Sequence, residues 1–121
     1  MARAQLVVQN IGGVVAVDIS YASLLDEETI QSIQEPLLEL IDQQAQRKIV
    51  LDFSKVRLLS SRMLGVLITV RKHAEAIDGE VVLAGLRPDL HKVFKISRLD
   101  KLFRFYGTTD EAMKAFGVSL A

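Results

Sequence analysis

Strands that alternate with helices after an opening hairpin place this chain in the α/β class, as a mixed β-sheet with helices mainly on one face. Three observations predict it. Two β-rich runs, Gln5 to Gln9 and Val14 to Ser20, flank Asn10-Ile11-Gly12-Gly13, whose glycines supply the positive φ of a tight antiparallel turn. Two later runs, Lys48 to Ser54 and Glu80 to Leu86, are almost continuously apolar, as strands covered by helices are. Between and after them the apolar residues recur at helical spacing.

In chain order, Asp26-Glu27-Glu28 puts acid in the first turn of a helix, where it complements the peptide dipole. Ile30, Ile33, Leu37, Leu40 and Ile41 continue that helix toward Gln46, and Pro36 within it predicts a kink or break at Glu35. After the Lys48 to Ser54 strand, a second helix runs from about Met63 to Asp78-Gly79, with the glycine as its C-terminal cap. Pro88 and Asp89 open a third helix, with Leu90, Val93 and Phe94 on its apolar side and Leu99 beyond. Lys101 to Tyr106 reads as a last strand or extended stretch, more readily a core element than a surface for stacking nucleic-acid bases. Thr108 and Glu111 fit a capping box for a final helix through Phe116.

At 121 residues the chain is expected to be a single domain, 1–121. Lys plus Arg and Asp plus Glu both number 15, so no net field draws it to nucleic acid or an acidic membrane. The absence of cysteine excludes disulfides, thiolate zinc sites and cysteine nucleophiles. The start, MARAQLVVQNIGG, lacks the apolar core of a secretory signal, and no window approaches the roughly 18 apolar residues that span a bilayer. A cytoplasmic location is the expectation.

The chemistry concentrates in KIVLDFSKVRLLSSRMLGVLITVRK, Lys48 to Lys72, where Ser60-Ser61 stand at the start of the second helix. A helix start presents unpaired N–H groups and the positive end of the dipole. A hydroxyl there either caps the helix or carries a phosphate that the dipole favours. With LDFSKVRLLSSRMLGVL in view, the chain resembles the STAS domain of bacterial anti-sigma factor antagonists. The hairpin, the acidic helix start, the Asp52-Phe53-Ser54 strand end, Leu64-Gly65, the Val81-Val82-Leu83-Ala84-Gly85 strand and the Glu111-Ala112 helix come in that family's order. The resemblance implies a non-enzymatic module that captures a kinase-type anti-sigma factor. That partner binds the ATP and phosphorylates a hydroxyl at the helix start.

The family's pattern, Asp-Ser-Ser/Thr-Gly-Leu-Gly, aligned on Leu64-Gly65, falls on Ser60, Ser61, Arg62, Met63, Leu64 and Gly65. Arg62 therefore stands where the family accepts phosphate, and Ser61, then Ser60, are the remaining acceptors. The partner surface implied by the resemblance is Ser54, Ser60, Ser61, Arg62, Met63 and Val66, with Met63, Val66 and Val70 forming either an exposed docking stripe or part of a wide buried face. A STAS scaffold or assembly subunit that binds partners without phosphorylation is the alternative, supported by Arg62. A small enzyme or apolar-ligand carrier is a third class, and it would require a closed pocket with convergent polar groups. A weak homodimer is compatible with either STAS reading.

No cofactor is expected, because neither GxGxxG nor GxxxxGK[ST] occurs and Gly12-Gly13 is too short for a phosphate loop. His73 and His91, the only histidines, have no metal-ligand spacing, and no catalytic residue is assigned.

Overall fold

The structure, a computed structural model, describes residues 6–118, so Gln5 of the first expected strand lies outside the described residues. Strands β1 (Leu6–Ile11) and β2 (Val14–Ile19) pair antiparallel, Ile11 opposite Val14. The turn is only Gly12-Gly13, and φ of +60° and +84° at its two positions makes it the I′ type that suits the twist of a hairpin. Strands β4 (Lys48–Asp52), β6 (Glu80–Ala84) and β7 (Phe105–Tyr106) extend the sheet in parallel, in the order β1-β2-β4-β6-β7. Helices α1 (Glu27–Asp42), α2 (Ser61–Ala76) and α3 (Pro88–Ile96) make the crossovers, and α4 (Thr109–Ala115) follows β7.

The near-continuous hydrophobicity of the inner strands has a direct cause: both sheet faces are covered. Val15, Val17, Ile19, Ile49, Leu51, Val81 and Leu83 point to the core shared with α1, α2 and α3. Their alternates Val14, Ala16, Val50, Val82 and Ala84 meet Ala112 and Met113 of α4 on the other side. Three helices on one face and one on the other match the expected layering. The basic aromatic segment belongs to the core, as expected: Phe94 sets its ring edge-on to Phe103 and Phe105, at centroid distances of 6.4 and 5.5 Å.

Several local expectations are corrected. Pro36 does not break α1, which runs in one span from Glu27 to Asp42. The proline removes one main-chain donor, but Ile30, Ile33, Leu37, Leu40 and Ile41 are buried on both sides of it and hold the helix to the sheet. At the end of α2 the left-handed residue is Asp78 (φ +59°), and Gly79 is needed for another reason. A Cβ on Gly79 would lie 2.7 Å from the Arg47 carbonyl oxygen and 2.9 Å from its Cα. Leu99 belongs to a separate 3₁₀ turn, Leu99–Lys101, entered through Arg98 at φ +61°. The last strand is only Phe105–Tyr106. Thr108 caps α4 by accepting from the Glu111 N–H, while the Glu111 carboxylate returns to the N–H of Gly107, one residue before the cap.

A second sheet went unforeseen. Strands β3 (Ser23–Leu24) and β5 (Leu58–Leu59) form a two-residue parallel ladder, Ser23 opposite Leu58 and Leu24 opposite Leu59.

Candidate functional site

The short ladder positions the site. β3 is followed by the cap of α1 and β5 by the cap of α2, so pairing the strands sets the two helix starts side by side. The Ser60 N–H donates to the Leu24 carbonyl (3.1 Å), and the N–H groups of Arg57 and Leu58 both reach the Ala22 carbonyl, at 2.7 and 3.0 Å.

Each helix is then capped by its own chemistry. At α1, Asp26 accepts the Thr29 N–H at 2.9 Å, and that backbone hydrogen bond holds its carboxyl below the ordinary carboxylate range. At α2, Ser60 Oγ accepts the Met63 N–H at 3.1 Å. The first turn of α1 carries Glu27 and Glu28, whereas that of α2 carries no acid. Instead it carries Arg62, a cation at the positive end of the dipole. Glu27 offsets it across the gap: Arg62 Nη2 donates to Glu27 Oε1 at 3.1 Å, and Nε lies 3.3 and 3.2 Å from the two carboxylate oxygens. Both side chains are about half exposed, so the pair contributes about 0–1 kcal/mol. Its effect is to set the charge pattern of the surface.

The predicted residues separate into two groups. Ser61 is exposed, the first residue of α2, and its hydroxyl makes no hydrogen bond among the described residues. Ser60 is half-buried and its oxygen is committed to the cap. Arg62 is exposed beside Ser61. Met63 and Val66, expected to contact a partner, have no exposed surface: both are 0% accessible, as is Val70. The stripe is part of a wide buried face, with Leu64, Leu67 and Ala74, because α2 is the middle helix of its layer, lying over β4 and β6 with α1 against one flank. Direct contact through Met63 or Val66 is therefore withdrawn. Ser54 is exposed but sits apart, its N–H bonded to Asp52 Oδ1 at 2.9 Å and its Cβ packed under Gly85. Asp18 makes no turn bond of this kind and pairs with Lys55 at 2.9 Å, which raises the lysine's pKa through the hydrogen bond and the carboxylate charge.

Three further residues border the site: Leu25, Leu58 from the loop Ser54 to Leu59 that the resemblance places at the partner surface, and Gly65. Leu25 and Leu58 flank the paired helix starts with 52% and 54% of their surface accessible. Gly65 lies one turn beyond Ser61 on the outward side of α2, and a Cβ there would meet nothing within 4 Å. Glycine inside a helix costs about 0.5–1 kcal/mol relative to alanine, and at this position the chain's own packing does not require it. Its two-residue spacing from Met63 was visible in the sequence; its exposure was not.

Other chemistry is sparsely represented. Among the described residues no group of three or more His, Cys, Asp or Glu side chains converges as a metal site. His73 Nδ1 bonds the Asp42 carboxylate at 2.9 Å, and His91 packs on the Phe105 ring. A hollow of about 520 Å³ lies at the opposite end of β4 and β6 between Arg47, Lys48, Glu80 and Arg104. It is open and charged, which does not favour the carrier reading. No helix among the described residues is long and apolar enough to cross a membrane.

An antiparallel hairpin leading into a parallel β-α sheet with four helices matches the STAS fold. The chain belongs to the STAS domain family, whose model matches residues 5–112. It is similar to BtrV of Bordetella bronchiseptica, which bears the name of an anti-sigma factor antagonist, with 28% identity over 97 residues, 80% of this chain and 83% of that one. Among solved structures, an anti-sigma-factor antagonist (STAS) domain protein from Planctomyces limnophilus superposes with a TM-score of 0.82 at 21% identity, covering 94% of this chain and 98% of its own. Phosphorylated SpoIIAA from Bacillus gives 0.73, also at 21% identity, covering 92% and 98%. The unphosphorylated form of SpoIIAA gives 0.80 at 21% identity, covering 95% and 99%.

Proposed function

We propose that this chain is a non-catalytic cytoplasmic regulator that captures a kinase-type anti-sigma factor at the paired entrances of α1 and α2. The observation that carries the reading is the outward face of α2: Ser61, Arg62 and Gly65 lie together, exposed, with Leu25 and Leu58 beside them. A bare glycine in that position lets a partner's main chain approach closely, at a cost to the helix that no contact among the described residues explains. The names of the similar proteins support the class of partner.

Ser61 is the proposed phosphate acceptor and Ser60 the second. A phosphate on Ser61 adds about 1.5–2 negative charges at neutral pH, at a helix N-terminus that has no acid of its own and next to Arg62. The fold tolerates that charge, while a partner packed on Leu25, Leu58 and Gly65 is repelled or displaced by it. This chain has no nucleotide-binding loop, so the ATP belongs to the partner.

The second reading, constitutive partner binding, is favoured by one observation: Arg62 stands at the family's acceptor position and is already tied to Glu27. Incubation with the cognate serine kinase and ATP, followed by mass spectrometry, separates the two. The switch reading expects one phosphate on Ser61, lost in Ser61→Ala. A chain that gains no phosphate on either serine favours the constitutive reading, and a chain that binds no anti-sigma kinase overturns the switch reading and leaves a scaffold for other protein partners.

A further inference from the structure

We propose that copies of this chain associate head to tail, with the outward face of α3 on one copy seated on the outward face of α1 on the next. The contact goes beyond the partner reading and does not depend on it. It starts from Ile96, at 84% accessible the most exposed large apolar side chain among the described residues. Lys92, Lys95, Arg98 and Lys101 surround it in sequence, all exposed and none in an ion pair among the described residues. Five other cations (Arg47, Lys55, Arg62, Arg71 and Arg104) do find carboxylates.

The complementary surface is on the same chain. Helix α1 carries five acids and no Lys or Arg from Glu27 to Asp42. On its solvent side Glu35, Leu38, Glu39, Asp42 and Gln43 line a shallow hollow of about 240 Å³. Leu38 gives it an apolar floor, and Glu35 and Glu39 on the rim make no ion pair among the described residues. An exposed isoleucine with unpaired cations close to it in sequence matches a leucine floor with carboxylates beside it, apolar to apolar and charge to charge.

The two surfaces cannot meet within one molecule. Because α1 links β2 to β4, α2 links β4 to β6 and α3 leads from β6 toward β7, α2 lies between them. Joining unlike surfaces is a heterologous contact, so it propagates as a chain or ring instead of stopping at a two-fold dimer. It also leaves the partner site open, since Glu35 is eight residues, about 12 Å of helix, beyond Glu27. A lipid surface fits less well: α3 spends Leu90 and Phe94 on the core, leaving Ile96 alone to insert.

Sedimentation equilibrium of the full chain tests this directly. The expected result at low salt is concentration-dependent association with a dissociation constant on the order of 0.1–1 mM, weakening as salt screens the charges. K92E/K95E and E35K/E39K, all at exposed or half-exposed positions that leave the core intact, each remain monomeric alone. Mixed, they regain association, because the untouched α1 of the first accepts the untouched α3 of the second. A wild-type chain that stays monomeric throughout that range overturns the proposal. So does a mixture no more associated than its components, or a monomer that sediments instead with equimolar phosphatidylglycerol–phosphatidylcholine vesicles.

Discussion

The entrances of α1 and α2 are built alike and charged oppositely. Each follows one strand of the β3/β5 ladder, begins with a side-chain cap to the third residue on, and buries its next apolar residues in the same core. At α1, however, Asp26, Glu27 and Glu28 place anions at the dipole's positive end, whereas α2 offers two hydroxyls, an arginine and an outward glycine. The first arrangement answers the needs of a helix. The second takes its negative charge only across the gap, from Glu27 of the neighbouring helix, and keeps a stretch of main chain uncovered. That difference, more than any single serine, is why the proposed partner surface is placed at the α2 entrance.

Four measurements sharpen or break the comparison. The largest effect is expected where the α2 entrance turns inward: Met63→Ala opens a cavity in the core and lowers the unfolding free energy by about 2–5 kcal/mol, read from the urea midpoint. A near-neutral result would return Met63 to the surface. Ser60→Ala removes the cap and costs about 1 kcal/mol, while Ser61→Ala stays within about 0.5 kcal/mol of wild type; equal losses would mean that the two hydroxyls share one job. Gly65→Ala should raise stability by about 0.5–1 kcal/mol while weakening capture of the anti-sigma partner in a titration. A glycine that proves dispensable for binding removes the main support for close approach.

The smallest effect belongs to α1. The Asp26 carboxyl is held below its ordinary pKa by the Thr29 N–H. Its stabilisation is therefore present above the unfolded-state value and is lost as pH falls through the folded-state one. Asp26→Asn keeps the cap and removes the charge. Wild type should exceed it in denaturant midpoint at neutral pH and converge with it in acid; a gap that persists in acid would assign the difference to shape.

Most of the sheet was readable from the sequence because burial on both faces writes long apolar runs, as in Ile49-Val50-Leu51 and Val81-Val82-Leu83. The Gly12-Gly13 turn and the Pro88 start were readable because their backbone demands are local. What escaped depends on contacts between distant segments. The break expected at Pro36 was overruled by the packing of Ile33 and Leu37 against the sheet. The β3/β5 ladder has two residues per strand, too few for any periodicity, yet it brings Glu27 to Arg62 across 35 positions. At the candidate site the placing of Ser60, Ser61 and Arg62 at the start of α2 was legible, with Ser60 as its cap. Met63 and Val66 were misplaced, because helical spacing identifies a stripe without saying whether the neighbouring stripe leaves it outside.

Gly79 carries a consequence for how the molecule tolerates change. Its Cα passes so near the Arg47 backbone that any side chain, even a methyl, would wedge apart the beginnings of β4 and β6. That end of the sheet behaves as a rivet, and a graft, fusion or loop extension placed there should prevent the two strands from seating together. Divergence, natural or engineered, is thereby steered to the opposite rim.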